Sequence, residues 1–101
     1  MDNMKLVITA RANLDLGDIL AYISVYNRKS ALELRQKIIE RVKLLRDFPY
    51  IGAAVPGTLD IRRVSVGNYI IYYMIDVQKS AIVVNAIVHG ARDQEAAIKQ
   101  S

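Results

Sequence analysis

The spacing of apolar residues changes along this chain from the run of a strand to the three- and four-residue steps of a helix and back again, and those changes mark out its elements. Met4-Lys5-Leu6-Val7-Ile8-Thr9 is short and rich in β-branched side chains, which predicts a strand. Thr9 then stands where its hydroxyl accepts a hydrogen bond from an unpaired amide of a following helix. Leu16, Ile19, Leu20, Ile23 and Tyr26 fall on one face of that helix, and Gly17 weakens it only slightly. Asn27-Arg28-Lys29-Ser30 breaks the pattern. Ser30 followed by Glu33 has the form of a capping box, so a second helix is predicted to start there. Ala31, Leu34, Ile38, Val42 and Leu45 give its buried stripe, and Asp47-Phe48-Pro49 ends it, because the residue before a proline is pushed out of helical conformation. Two helices joined by a short loop form an antiparallel hairpin.

From Tyr50 to Asp60 the pattern is aperiodic and carries Gly52, Pro56 and Gly57, which predicts a surface loop. Three strands follow: Ile61–Val66, Tyr69–Val77 after a tight turn at Gly67-Asn68, and Ala81–His89 after a turn at Gln78-Lys79-Ser80. The order β-α-α-β-β-β predicts one α+β domain over residues 1–101, with an N-terminal strand, a two-helix antiparallel hairpin and a three-stranded antiparallel meander completing one small sheet. Tyr69–Ile75 and Ile82–Val88 are apolar on both faces, whereas a helical hairpin covers only one. The second face needs cover from the 50–60 loop, from a second copy or from another protein chain. The shortage of large side chains in 50–60 favours a partner.

With 101 residues there is room for one core, and 52% hydrophobic against 24% charged residues suffices to fold it. No cysteine and a single histidine, His89, leave neither disulfides nor a thiolate or multi-histidine metal site, so no metal or cofactor is expected. The N-terminus does not read as a secretory signal and no apolar run is long enough to span a bilayer, so the expectation is a cytoplasmic protein. A formal charge of +4 favours acidic or polyanionic partners, or serves only for solubility.

Four phrases carry a resemblance. Asp15-Leu16-x-x-Ile19-x-x-Tyr22-Ile23, Leu45-x-x-x-Pro49-x-x-Gly52, Arg62-Arg63-Val64-x-Val66-Gly67-x-Tyr69-x-Ile71-x-Tyr73 and Val88-His89-Gly90-Ala91-Arg92-Asp93, in that order over residues 5–93, resemble the RelE/ParE superfamily of toxins from type II toxin–antitoxin systems. The resemblance implies a growth-inhibiting toxin, encoded on a plasmid or chromosome beside a cognate antitoxin that wraps and neutralises it with a segment that is often acidic. The strand residues offered to such an antitoxin are Tyr69, Ile71, Tyr73, Ile75, Val83 and Ile87.

The superfamily implies two activities, cutting of messenger RNA on the ribosome by RelE-type members and poisoning of DNA gyrase by ParE-type members. Such a ribonuclease needs a base, an acid and cations at the scissile phosphate. Arg62, Tyr69, His89 and Arg92 are the candidates for those roles. However, the ribonucleases carry an arginine directly after the hairpin tyrosine, where this chain has Ile70, and lysines near residues 50–60, where it has none. The tail Val88–Asp93 resembles that of ParE chains, so a non-catalytic, gyrase-binding toxin is the favoured reading and an mRNA interferase the alternative. Each candidate also has a structural reading. Two-residue turn pairing sets Arg62 opposite Tyr73, where it is either an anion-binding cation or a structural cation–π or ion-pair partner. Tyr73 reads as sheet packing, Tyr69 sits by the turn, and Arg92 beside Asp93 also reads as a surface pair. His89 shares a face with Tyr69 if the turn at 78–80 has three residues and not if it has two.

Overall fold

A computed structural model describes residues 4–92. β1 (Lys5–Ile8) leads into α1 (Ala10–Tyr26) and α2 (Arg28–Asp47). Then come β2 (Ala53–Ala54), β3 (Ile61–Val66), β4 (Tyr69–Asp76) and β5 (Ala81–His89), closed by the short 3-10 turn Gly90–Arg92. The five strands form one sheet in the order β1-β5-β4-β3-β2, with β1 parallel to β5 and every other pair antiparallel. The sheet thus has one strand more than the sequence pattern predicts: two alanines of the 50–60 loop pair with Arg62 and Arg63 of β3.

Thr9 begins α1 as expected, accepting the Ala12 amide at 3.1 Å, and its hydroxyl also donates to the Asn85 carbonyl at 3.1 Å. The start of α2 differs. Asn27, extended at φ −160°, takes the Ser30 amide on its side-chain oxygen at 3.0 Å, so the helix begins at Arg28 and the Ser30–Glu33 capping box does not form. The same residue closes α1 through its own amide to Ile23, which reduces the hairpin link to Asn27. Tyr26, assigned to the buried face of α1, is 75% exposed and lies with its ring centroid 5.3 Å from that of Tyr22. The α2 stripe is as read: Ala31, Ile38, Val42 and Leu45 are buried and Leu34 packs against the core.

The main core lies between the hairpin and one sheet face, where Ile38, Val42 and Leu45 meet Val64, Ile71, Tyr73, Ile82, Val84 and Ile87. On the other face Ile70, Tyr72, Ala86 and Val88 are buried together with Val55, which the 50–60 loop brings back over the sheet. The chain therefore covers much of its second face itself, and the expectation that a partner does so is corrected. One valine placed over the centre, its amide bonded to the Ile61 carbonyl at 2.9 Å, substitutes for the large side chains the loop lacks.

Gly67, at φ +58°, starts a two-residue hairpin turn that pairs Val66 with Tyr69, Val64 with Ile71 and Arg62 with Tyr73, as the pattern predicts. The next link differs. β4 stops at Asp76, and Val77–Ser80 form a four-residue connection with Ser80 at φ +50°. Continued regularly, that register would leave His89 on the face opposite Tyr69. A bulge opposite the Tyr72–Tyr73 step, where Tyr72 pairs with Ala86 and Tyr73 with Val84, skips Asn85 and restores the Tyr69–His89 pair.

Candidate functional site

Arg62, Tyr69 and His89 lie at two ends of the helix-facing side of the sheet. At one end β1 has already stopped, so β5 beyond the bulge has an open edge. There α1 supplies a substitute for the missing strand: the Asp15 carboxylate accepts the Ile87 amide at 3.0 Å, with the Arg11 guanidinium 3.8 Å from the same oxygen. Between α1 and this edge runs an open groove of about 630 Å³, bordered by Asp15, Asp18, Tyr22, Tyr69 and His89. The Tyr69 and His89 rings meet edge to face at 5.1 Å, and His89 Nδ1 accepts the Ala91 amide at 3.0 Å, which puts the hydrogen of a neutral ring on Nε2. Asp15 was read only as part of a motif; its role as an edge partner depends on where β1 ends.

Arg62 belongs to the other end. Its Nη1 donates to the Gly52 carbonyl at 2.7 Å, and its guanidinium carbon lies 4.9 Å from the centroid of the Tyr50 ring. Beside it, Tyr73 is fully buried. Its hydroxyl donates to the Pro49 carbonyl at 2.7 Å and accepts the Gly52 amide at 3.0 Å. Burial raises the Tyr73 pKa above 10.0, opposed in part by the Gly52 amide and the Arg62 charge, so the phenol is held as a donor. The cation–π reading of Arg62 therefore holds, with Tyr50 rather than a sheet tyrosine as its ring. In sequence Tyr50 reads only as the start of a loop and Gly52 only as a loop and motif glycine, because a loop has no periodicity to show that they would meet Arg62 and Tyr73.

These two ends do not combine. Arg62 pairs with Tyr73 and His89 with Tyr69, on either side of β4. Two strand spacings across and four residues along set their Cα atoms roughly 16 Å apart. Arg92 falls in the terminal turn near His89, and its side chain lies outside the described residues, as does Asp93. Of the six strand residues expected to face an antitoxin, Ile71, Tyr73 and Ile87 are core beneath the helices, which leaves them no surface to offer. Tyr69 and Ile75 are half-buried at that core's margin, and Val83 is half-buried on the opposite face. Ile70, standing where the ribonucleases carry arginine, is buried on that second face.

Three solved structures share this fold. The chromosomal ParDE toxin–antitoxin system from P. aeruginosa matches at 24% identity and a TM-score of 0.69, over 85% of this chain and 95% of that one. The isolated E. coli RelE toxin matches at 16% identity and a TM-score of 0.60, over 96% and 97%. The intact E. coli RelBE toxin–antitoxin complex matches at 16% and 0.58, over 85% and 95%. No curated protein is matched by sequence. Residues 6–94 match the family described as the ParE toxin of the type II toxin-antitoxin system parDE, and the chain belongs to that family.

Proposed function

We propose that this toxin acts by binding and not by catalysis: in the cytoplasm it stops growth by poisoning DNA gyrase, and a cognate antitoxin neutralises it. The observation that carries this reading is the separation of Arg62 from His89. Arg62, the first of the candidate phosphate clamps, is tied to Gly52 and Tyr50 at one end of the sheet, while the proton-transfer groups stand at the other. A phosphate bound by one would be out of reach of the other. Membership of the ParE family supports the same reading. In a gyrase supercoiling reaction the purified protein is expected to inhibit and to trap cleaved DNA; no effect at high molar excess sinks the proposal.

The Tyr69–His89 pair favours a second reading, a ribosome-dependent mRNA endonuclease, because it sets two proton-transfer groups on an open groove beside Asp15 and Asp18. Toeprinting on ribosome-bound message separates the two: new ends that vanish in His89→Ala support the nuclease, and uncut message rejects it. The antitoxin surface we place on α1, where Tyr22, which borders that groove, and Val25 and Tyr26 further along the helix are 66%, 79% and 75% exposed. Co-purification with the product of a neighbouring acidic reading frame, lost in Tyr22→Ser/Val25→Ser, tests this.

A further inference from the structure

Phe48, Tyr50 and Ile51 form an exposed apolar cluster at the end of α2, with 59%, 57% and 53% of their surfaces accessible. With Asp47 and Pro49 they wall a shallow bowl of about 460 Å³. Their backbone is not loose. Tyr73 holds the Pro49 carbonyl and the Gly52 amide, and Arg62 holds the Gly52 carbonyl while covering one face of Tyr50. A loop fastened before its partner arrives loses less entropy on binding. We propose that this loop is the docking surface for the toxin's protein target, fitted to an apolar recess rimmed by carboxylates, with Arg62 and Tyr73 as positioning residues that hold it in its binding shape. The inference rests on the reading of the toxin as a binding module.

The choice of occupant follows from charge and area. The helix that leads into the loop carries seven Lys and Arg against three Asp and Glu, an excess equal to the whole chain's +4. Arg46 is in its last turn and Arg62 stands over the Tyr50 ring, next to a bowl whose wall has Asp47 as its one charged side chain. The helix's net positive charge orients an acidic protein surface during encounter. The three side chains expose on the order of 300 Å². That is well below the ~800 Å² each partner buries in a stable complex, so the cluster suits the anchors of a larger interface and not a self-sufficient contact between two copies. For nucleic acid, one face of Tyr50 is taken by Arg62, Ile51 offers no plane for stacking, and residues 50–60 hold no lysine.

The test is the double variant Phe48→Ser/Ile51→Ser, with Ile51→Glu as a second variant that opposes the acidic rim. All are surface changes, so the thermal transition is expected to stay within a few degrees of wild type, as circular dichroism would show. Inhibition of gyrase supercoiling and growth arrest on induction are expected to weaken by about tenfold or more, the loss of one anchor. Folded variants that inhibit and arrest as wild type overturn the docking surface. Wild type that leaves gyrase untouched ends the gyrase reading, and growth arrest then judges the surface: arrest lost in folded variants upholds another protein target, arrest kept overturns it. A fluorescent 20-mer oligo(dT) or oligo(U) bound by wild type and released by the variants overturns it in favour of nucleic acid. A dimer seen by light scattering for wild type alone overturns it in favour of a second copy.

Discussion

The Tyr73 hydroxyl lies 3.0 Å from the Gly52 amide nitrogen, so close that a Cβ at residue 52 would come within 2.6 Å of it and within 2.8 Å of the Arg63 carbonyl. A backbone carbonyl cannot swing aside as a side chain can. Gly52→Ala is therefore expected to cost about 1–3 kcal/mol. Urea unfolding measures it, and stability equal to wild type would show that the loop is not held as described.

Tyr73→Phe removes the hydroxyl and leaves the Gly52 amide and the Pro49 carbonyl to find other partners. The expected loss is about 1–3 kcal/mol. Because the phenol's folded pKa is raised above 10.0, the unfolded chain gives up this proton first as pH rises. The contribution is complete below about pH 10 and is lost from there upward through the folded pKa. Wild type should thus lose its advantage over Tyr73→Phe above pH 10 and keep it unchanged between pH 7 and 9; curves that stay parallel above pH 10 would contradict the assignment.

Asp15 supplies a charged acceptor where β5 lacks a neighbouring strand. Asp15→Ala is expected to lose about 1.5–3 kcal/mol, the range for a hydrogen bond to a charged group. Asp15→Asn, which keeps an acceptor, should recover part of it. Amide exchange at Ile87 is the direct readout: protection that survives in Asp15→Ala would mean the edge is closed by something else.

Deleting Asn85 removes the residue that the bulge skips. Continuous pairing would then set Ala86 directly after Val84 and opposite Tyr72, so that Val88 stays across from Ile70 and His89 across from Tyr69 without a bulge. The expected result is that the Tyr69–His89 contact persists in nuclear Overhauser spectra with the β3–β4 contacts retained; loss of the ring contact would argue that Asn85 is not the extra residue of the bulge.

Much of this architecture was legible because it is local. The α2 stripe, the Thr9 cap and the Val66–Tyr69 hairpin each depend on residues a few positions apart, and the two-residue turn transmits its register to Arg62 and Tyr73 without further information. Where competing local signals lay side by side the choice went astray: both Asn27 and Ser30 can cap a helix, and the extended backbone at Asn27 decides between them. The candidate site was less legible. Turn pairing set Arg62 across from Tyr73, but it left the face of His89 open to the length of the 78–80 turn, and nothing in the spacing reveals that Arg62 and His89 stand at opposite ends of the sheet.

By itself, then, the sequence determined the order of every element but β2, the α2 core stripe and one hairpin register, because periodicity and turn chemistry act within a few residues. Tertiary structure alone decided three things: that the 50–60 loop folds back over the second sheet face, that Tyr73 reaches 24 residues back to fasten Pro49, and that a bulge tied to Thr9 restores His89 to Tyr69. Each rests on a hydrogen bond or packing contact between distant segments. Such a contact stabilises only after the chain between them has closed, and a one-residue slip in register reverses its outcome.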